Sequence, residues 1–432
     1  MKRLLPLALL LCCDLLQAQQ YVFFRVEGQP AVPGGPGVQS TGALTQPAVS
    51  ADGSTLAFRA SSSNLAVGAS GVQVLAFDLD TGAITVASVA PNGQPSASGN
   101  TNDRPALSAD GRFVAFETTS TTYTAGIAGV HLVRVDRQTN SFSLVNLTAA
   151  GALPPGTLSR LGGISGDGRF VAFTSNAANL VAGAPANTTN SVFVRDMLTA
   201  TTQRVDVSTA GTGGNGGAFS ETPTISADGR WIAFASNATN LVPGALSGSQ
   251  RIYLRDRVGN STVQVSIGPG GSDLSGAGNA SISANGGAIV FRSSSAGGSA
   301  TQLWARSLAS PGATAVPAGA GMGLCDVARI ADTGFVVSQC RNSNTQLPRQ
   351  AFAWLLGNPG TPPGLISGID PNNTIPGNAT SGNAVTVSAD NGVFAFDSDA
   401  SDLVPIDTNA VSDIFVYARL GLPDLIFANG FQ

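Results

Sequence analysis

The chain has 432 residues, of which 43% are hydrophobic and only 11% are charged, and its net charge is −4. Normal apolar content excludes an intrinsically disordered chain, and the lack of a basic excess argues against a nucleic-acid partner. A single histidine, His131, and a single lysine, Lys2, leave few groups for acid–base, nucleophilic or Schiff-base catalysis.

Residues 1–18 are predicted to be a secretory signal peptide. A basic start over residues 1–3 precedes an apolar run over residues 4–11 and an approximate cleavage site that ends at Ala18. No later stretch has the ~20 consecutive apolar residues that a membrane-spanning helix needs. Cys12 and Cys13 raise lipidation as an alternative, although neither follows a small residue. We therefore expect an exported protein, periplasmic or secreted, without a transmembrane segment.

A short motif recurs along the rest of the chain. It reads Ser-Ala-Asp-Gly, followed by an apolar run that ends in Phe, and successive copies are 47 to 61 residues apart. Asp accepts hydrogen bonds from nearby backbone N–H groups and Gly supplies a positive φ, so the motif Asp is predicted to be structural rather than catalytic. Weaker copies have Asn285 and Asp332 at this place. The predicted turn residues are Asp52, Asp110, Asp167, Asp228 and Asp390.

Each copy of the motif is predicted to contain four short strands, A to D. Strands A and B flank the motif turn, and strands C and D follow as β-branched or alternating runs bounded by Gly, Asn and Asp. Seven four-stranded antiparallel repeats predict an all-β fold, a seven-bladed β-propeller over residues 19–420, with six or eight blades as alternatives. The last repeat lacks a D strand, and residues 21–26 form a strand outside the repeats. We expect these residues to complete the last blade.

The connections of this propeller differ in length. The A–B and C–D turns are short, whereas the B–C and D–A connections are long and rich in Gly, Ser, Asn and Thr. In an up-and-down blade the two long connections emerge on one face, here called the loop-rich face, and the short turns on the opposite, tight-turn face. Binding sites favour loops on rigid scaffolds, so the loop-rich face is the expected binding surface.

The motif Ser-Ala-Asp-Gly-x-x-Val-Ala-Phe, with a later Val-Phe-Val-Arg-Asp, resembles the WD40-like (PD40) repeats of TolB-type propellers. An Asn-Leu-Val element, beginning 12 residues after the motif Asp in several repeats, is similar as well. The resemblance implies a binding or scaffolding propeller with protein partners in the cell envelope. Secreted relatives continue with an acidic loop that Asp407, Asn409 and Asp413 match, and these residues are the predicted ligands of a possible calcium ion.

Two further features lie toward the C-terminus. The midpoint of Cys325 and Cys340 lies between Asp332 and Thr333, so a hairpin turning there would place the cysteines opposite each other and predicts a disulfide, with two buried thiols as the alternative. Residues 421–432 form a tail that resembles the ending of many secreted proteobacterial proteins; a sorting role and an ordinary terminal strand both remain open.

These observations predict a non-catalytic, monomeric propeller that binds a protein or glycan partner through its loop-rich face. No catalytic residue is assigned, because His131 is expected to be a packed side chain and no nucleophile elbow is present. Beyond the possible calcium ion, no cofactor is expected. Two alternatives stay open: a polysaccharide hydrolase or lyase that uses Asp residues in the loop-rich face, and a structural cell-surface protein.

Overall fold

The computed structural model describes residues 21–28, 37–66, 71–90, 93–95, 101–154, 156–177, 179–181, 190–215, 223–244, 249–294, 301–309, 314–315, 322–342, 348–356, 363–370, 373 and 375–419. The predicted signal peptide over residues 1–18, with Cys12 and Cys13, and the tail over residues 421–432 lie outside these ranges. Within them, the chain forms seven four-stranded antiparallel sheets and one short 3-10 turn, Pro269–Gly271.

The strands follow one another in chain order. The chain begins with β1 (Tyr21–Arg25), and blade 1 comprises β2 (Leu44–Val49), β3 (Thr55–Ala60), β4 (Gln73–Asp78) and β5 (Ile84–Val86). Blade 2 comprises β6 (Asn102–Leu107), β7 (Phe113–Thr118), β8 (His131–Asp136) and β9 (Ser141–Leu144). Blade 3 comprises β10 (Ser159–Ile164), β11 (Phe170–Ser175), β12 (Ser191–Asp196) and β13 (Thr201–Arg204).

The remaining blades repeat this order. Blade 4 comprises β14 (Thr224–Ile225), β15 (Trp231–Ser236), β16 (Arg251–Asp256) and β17 (Ser261–Gln264). Blade 5 comprises β18 (Gly278–Ile282), β19 (Ala288–Ser294), β20 (Thr301–Ser307) and β21 (Thr314–Ala315). Blade 6 comprises β22 (Met322–Ile330), β23 (Phe335–Asn342), β24 (Gln350–Leu355) and β25 (Gly364–Leu365). Blade 7 contains β26 (Ser381–Val387), β27 (Val393–Ser398) and β28 (Asp413–Arg419). The prediction of seven blades is confirmed.

Blade 7 obtains its fourth strand from the beginning of the chain. Strand β1 pairs antiparallel with β28, with Tyr21 opposite Arg419 and Arg25 opposite Phe415. The Phe23 ring stacks on Phe415, and the Tyr21 hydroxyl donates a hydrogen bond to the carbonyl oxygen of Asn391. This pairing confirms that residues 21–26 close the ring, and it covers an edge of β28 that would otherwise present unpaired backbone groups.

Hydrophobic residues fill the spaces between blades. The B and C strands are buried on both faces because each blade is covered on both sides by a neighbour; β12 and β16, for example, are buried throughout. The outermost strands β5, β9 and β13 are half-buried or exposed. This difference explains why continuous apolar runs mark the inner strands and polar alternation marks the outer ones.

The seven A strands surround the axis, each in contact with the A strand of the next blade. Hydrogen bonds between successive motif turns complete the circle: the Ala109 N–H donates to Gly166, the Gly166 N–H to Ala227, and the Ala389 N–H to Ala51. The residue before the motif Asp is small because these turns meet so closely. A Cβ added to Gly166 would lie 3.1 Å from that of Ala227.

Blade 6 departs from the repeat at this turn. The Ala331 N–H bonds to the carbonyl of Phe335, four residues on, whereas the Ser50 N–H bonds to Thr55, five residues on. The turn is therefore one residue shorter, and Asp332 occupies the place of the small residue rather than that of the motif Asp, which corrects the sequence alignment. Asp332 keeps the circle closed, since its N–H donates to Ala389 and its carboxylate accepts from the Asn285 N–H.

Candidate functional site

The five predicted turn aspartates are hydrogen-bonded within their own turns. In blade 2, a carboxylate oxygen of Asp110 accepts the Ser108 hydroxyl at 2.6 Å and the Arg112 N–H at 3.0 Å. Asp52, Asp167, Asp228 and Asp390 accept the equivalent pair of hydrogen bonds. These carboxylates lie on the tight-turn face and act as local caps of a turn.

The predicted calcium ligands lie together, but around a guanidinium. The Arg25 guanidinium is 3.4 Å from a carboxylate oxygen of Asp407 and 3.5 Å from one of Asp413. The Asn409 side-chain amide donates to the Asp413 carboxylate, so its nitrogen rather than its oxygen faces that group. The part of the chain that the structure describes contains no cluster of three or more His, Cys, Asp or Glu side chains that could hold a metal ion. The calcium site stays a prediction.

Cys325 and Cys340 form a disulfide between facing positions of β22 and β23. His131 is buried at the start of β8, where its Nδ1 is 3.2 Å from the side-chain amide of Asn146, and burial lowers its pKa. Both features lie at strand ends that reach the loop-rich face, but their side chains are buried. No carboxylate of the described residues forms a hydrogen bond or ion pair with His131.

The long connections of the loop-rich face are tied to each other by the Asn-Leu element. The Asn240 side chain accepts the Asn215 N–H and donates to the Gly213 carbonyl, which joins the B–C connection of blade 4 to the connection that precedes its A strand. Asn64 makes both corresponding bonds in blade 1, and Asp402 accepts the Asn378 N–H in blade 7. The leucine that follows is buried beneath the loops in each case: Leu65, Leu180, Leu241 and Leu403. The loops therefore form a tethered surface.

The A strands carry a second repeated feature, a β-bulge. The pairing between A and B strands shifts in six of the blades, and the bulge places Gln46, Arg104 and Asn279 at positive φ. Bulges redirect side chains. Here they do so on the innermost strands, in the part that follows the D–A connection.

The B-strand residue at the level of the bulge, with its counterpart in blade 4, differs from blade to blade. It stands seven positions after the motif Asp, after Asn285 in blade 5 and after Asp332 in blade 6, and it directly follows the motif Phe in most blades. In blade order the occupants are Arg59, Glu117, Thr174, Ala235, Arg292, Gln339 and Asp397. A symmetric scaffold thus carries a chemically asymmetric ring of side chains. The sequence contained this signal, since the variable position sits inside an otherwise regular motif, but spacing alone did not show that the seven positions meet.

Ion pairs connect this ring from blade to blade. Glu117 forms ion pairs with Arg160 at 2.7 Å and with Arg104 at 3.6 Å, and it accepts a hydrogen bond from the Leu161 N–H at 2.9 Å. Burial raises the pKa of Glu117 in spite of these partners. On the other side of the channel, Asp326 pairs with Arg292 at 3.3 Å and with Arg349 at 2.8 Å. Arg59 lies 3.6 Å from Asp103.

Asp397 is the acid of this ring without an arginine partner in the described chain. Its two carboxylate oxygens accept the N–H groups of Ala384 at 2.9 Å and Gln46 at 3.4 Å, which belong to the bulges of blades 7 and 1. Burial raises its pKa to about 6. Asp397 therefore links the first and last blades at the channel.

Arg329 brings an additional positive charge to the innermost strands. The places equivalent to it in the other A strands hold small side chains: Ala48, Ala106, Gly163, Thr224, Ser281 and Thr386. Its guanidinium donates to the Ala328 carbonyl, and no described carboxylate lies within 4 Å. Burial and the approach of Arg104 from the opposite side of the ring lower its pKa.

Among the ring positions, their ion-pair partners and Arg329, arginines consequently outnumber acids. The arginines are Arg59, Arg104, Arg160, Arg292, Arg329 and Arg349, and the acids are Asp103, Glu117, Asp326 and Asp397. The charges lie toward the loop-rich face: Arg349 directly precedes β24 at that face, and Arg59 lies near the end of β3 that reaches it. The arrangement suits an anionic ligand.

No protein-family model matches the chain, and no curated protein sequence matches it. Solved β-propellers do. The propeller domain of the trilobed protease from Pyrococcus furiosus is 13% identical, with a TM-score of 0.51 over 90% of this chain and 98% of that one. An oligogalacturonate lyase in complex with manganese is 14% identical, with a TM-score of 0.54 over 93% and 98%. A TolB from Agrobacterium tumefaciens matches at 16% identity and a TM-score of 0.40 over 63% and 80%.

A structure of two prolyl endopeptidases also matches, at 13% identity and a TM-score of 0.54, over 84% of this chain but only 47% of that chain. Identities this low show the fold alone, a β-propeller. No helix among the described residues is long and apolar enough to cross a membrane.

Proposed function

We propose that this chain is an exported, non-catalytic binding propeller that takes a carboxylate-bearing partner, a protein segment or a glycan, at the loop-rich end of its central channel. The observation that carries the proposal is Arg329, a guanidinium on an innermost strand with no described carboxylate within ion-pair distance. It faces Arg104 across a ring in which arginines exceed acids. A bound carboxylate would relieve this repulsion and accept hydrogen bonds from both guanidiniums.

A binding role agrees with the state of the acids. Glu117 and Asp326 are each held by two arginines, and Asp397 accepts two backbone N–H groups. The nearby carboxylate of Asp399 adds to the rise in the pKa of Asp397 and accepts the Ser412 hydroxyl, so both members of this pair are hydrogen-bonded. Export is supported by the Cys325–Cys340 disulfide, since such bonds persist in oxidising compartments.

The test is a calorimetric titration of the folded protein with an oligogalacturonate, a short polyglutamate peptide and a neutral dextran oligomer. We expect at least one acidic probe to bind, with affinity that falls as salt is added. Arg329→Ala and Arg104→Ala should each weaken binding about tenfold or more. Arg419→Ala, which removes a half-buried arginine of the tight-turn face, is the matched control and should bind like the wild type.

Two results would overturn the proposal. Equal binding of dextran, or unchanged binding after Arg329→Ala, would show that the channel arginines do not select the ligand. Appearance of shorter products during incubation with the oligogalacturonate would favour the lyase or hydrolase alternative instead. Absence of binding by every probe would favour a structural role.

A further inference from the structure

The tight-turn face carries a second repeated arrangement, formed by the two residues after the motif Gly. In blades 2, 3 and 4 these are an arginine and an aromatic residue. Arg112 makes two hydrogen bonds, of 3.0 and 2.7 Å, to the carboxylate of Asp136, the last residue of the C strand of the same blade. Arg169 pairs in the same way with Asp196, and Arg230 with Asp256.

The aromatic ring of each pair packs against the next blade. A Cβ added to Gly168, the motif Gly of blade 3, would lie 2.2 Å from the Phe113 ring, and Phe170 and Trp231 cover Gly229 and Gly286 in the same manner. Guanidiniums stack on both sides of the ring. Arg169 and Arg257 lie 4.7 and 4.1 Å from the centre of Phe170. The Arg–aromatic pair is thus a wedge that joins adjacent blades.

Blade 1 lacks the wedge but keeps the groups that would receive it. Ser54 and Thr55 stand where the arginine and the aromatic residue stand in blades 2 to 4. Asp78 occupies the place of Asp136, yet the hydrogen bonds to its carboxylate come from the N–H and hydroxyl of Thr81, within its own turn. No described arginine lies within 4 Å of it.

Blade 2 also supplies an arginine in the position from which it would stack on an aromatic ring of blade 1. Arg137 is the blade 2 counterpart of Arg257, and its guanidinium lies 3.4 Å from the Thr55 hydroxyl and 2.9 Å from the Gly111 carbonyl. Where Arg257 stacks on a ring, Arg137 has none beneath it. Burial lowers the pKa of Arg137.

This arrangement is particular to blade 1. In blades 5, 6 and 7 the residues at the place of Asp136 are Ser307, Leu355 and Ala418, so the acid is missing together with the arginine. Blade 1 alone keeps the acid without its own arginine.

The missing side chains leave an open cavity of about 440 Å³, a depression of the surface between blades 1 and 2. Its lining includes Ser54, Thr55, Asp78, Asp110, Arg112 and Arg137. The volume falls within the range of small-ligand sites. The lining offers three acids, Asp78, Asp80 and Asp110, and a stacking guanidinium, Arg137, whose charge interacts with that of Asp78.

We propose that this cavity is a docking site for a peptide segment of a partner protein that carries an arginine next to an aromatic residue. The partner's guanidinium would pair with Asp78, as Arg112 pairs with Asp136, and its ring would stack on Arg137 above Thr55. The partner's arginine and aromatic side chains would thus form the wedge that blade 1 lacks. The site lies on the face opposite the channel mouth and is independent of the function proposed above.

The probe for this site is the capped dipeptide acetyl-Arg-Trp-amide, titrated into the full chain by calorimetry, with acetyl-Arg-Ala-amide and acetyl-Glu-Trp-amide as comparisons. We expect the first to bind at least tenfold more tightly than either of the others. Asp78→Asn should weaken its binding at least tenfold, whereas Asp390→Asn, an exposed acid of the same face in blade 7, and Arg329→Ala, in the channel, should leave it unchanged.

A double variant provides the complementary test. Ser54→Arg with Thr55→Phe restores the wedge within the chain, so it should abolish dipeptide binding and raise the Tm. No dipeptide binding at millimolar concentration by the wild type, or binding that survives both Asp78→Asn and the double variant, would overturn the proposal. If the double variant does not fold, Asp78→Asn decides the question alone.

Discussion

The guanidinium of Arg25 lies 3.5 Å from a carboxylate oxygen of Asp413, so a buried ion pair joins the first strand of the ring to the last. The two side chains are only 5% and 1% exposed. Arg25 also pairs with Glu27 and donates to the Ile406 carbonyl. Closure of the propeller therefore depends on buried charge as well as on the backbone pairing of β1 with β28.

Arg25→Met is expected to destabilise the protein strongly, because it leaves the buried carboxylates of Asp407 and Asp413 without their counter-charge. Breaking a buried pair on one side costs about 3–5 kcal/mol. Urea unfolding measures the loss. The control is Arg419→Met, which removes a more exposed pair with Asp390 in the same blade and should cost at most about 1 kcal/mol. Similar losses for the two variants would contradict the assigned role of Arg25.

The same variant tests the calcium prediction. Removal of the guanidinium frees the oxygen atoms of Asp407, Asn409 and Asp413, which are suitable calcium ligands. We expect millimolar calcium to raise the Tm of Arg25→Met more than that of the wild type, and a chelator to reverse the change. If calcium does not change the Tm of Arg25→Met, these three residues are ruled out as a calcium site.

Asp397 should make the protein less stable as the pH rises. Its pKa is raised by burial from 3.8 to about 6, so the folded state holds a proton that the unfolded state has lost between these values. Stability then falls from pH 4 to 6 and levels off above, by roughly 2–3 kcal/mol at 1.36 kcal/mol per pKa unit. Asp397→Asn should remove this dependence, as measured by urea unfolding at pH 4 and pH 7.

Asp136 provides a control with the opposite pH dependence. Its pKa is lowered to about 2, mainly by its hydrogen bonds with Arg112, so its contribution is present above pH 4 and is lost as the pH falls toward 2. Asp136→Asn should therefore flatten the acid side of the stability profile. If Asp397→Asn changes that side instead, burial does not control the titration of Asp397.

Gly168→Ala should be far more damaging than Gly211→Ala. Both glycines have positive φ, 71° and 84°, so each substitution carries the ~1–2 kcal/mol penalty of a left-handed backbone. Only at Gly168 does the new Cβ collide with a neighbour, the ring of Phe113 at 2.2 Å, whereas nothing lies within 4 Å at Gly211. Overpacking adds about 1–3 kcal/mol. Equal Tm values for the two variants would show that the motif Gly is required by the turn alone.

Reduction of the Cys325–Cys340 disulfide should lower the free energy of unfolding by about 3 kcal/mol, the chain-entropy value for a loop of about 15 residues. The double variant Cys325→Ala with Cys340→Ala should match the reduced protein in urea. Mass spectrometry after alkylation of the unreduced, denatured protein supplies the direct measurement. Alkylation of both cysteines there would show that the bond does not form.

The architecture was predictable because its signals are local. The turn residues Asp110 and Gly111 specify an A–B hairpin, and the number of copies of this motif gives the number of blades. The symmetric spacing of Cys325 and Cys340 about the turn at Asp332 and Thr333 placed them opposite each other for the same reason. The alignment of Asp332 itself was wrong by one position, since a shortened turn leaves the composition of the motif almost unchanged.

The site was not predictable, because its contacts connect blades. Glu117 meets Arg160 across 43 residues and Arg25 meets Asp413 across 388, distances at which no spacing rule applies. By itself, the sequence determined the all-β class, the seven blades and the strand that closes them, since hydrogen bonds within each hairpin follow from neighbouring residues. Only the tertiary structure decided which charges share the channel and where blade 1 leaves an acid without its arginine, because ring closure alone sets which side chains face each other.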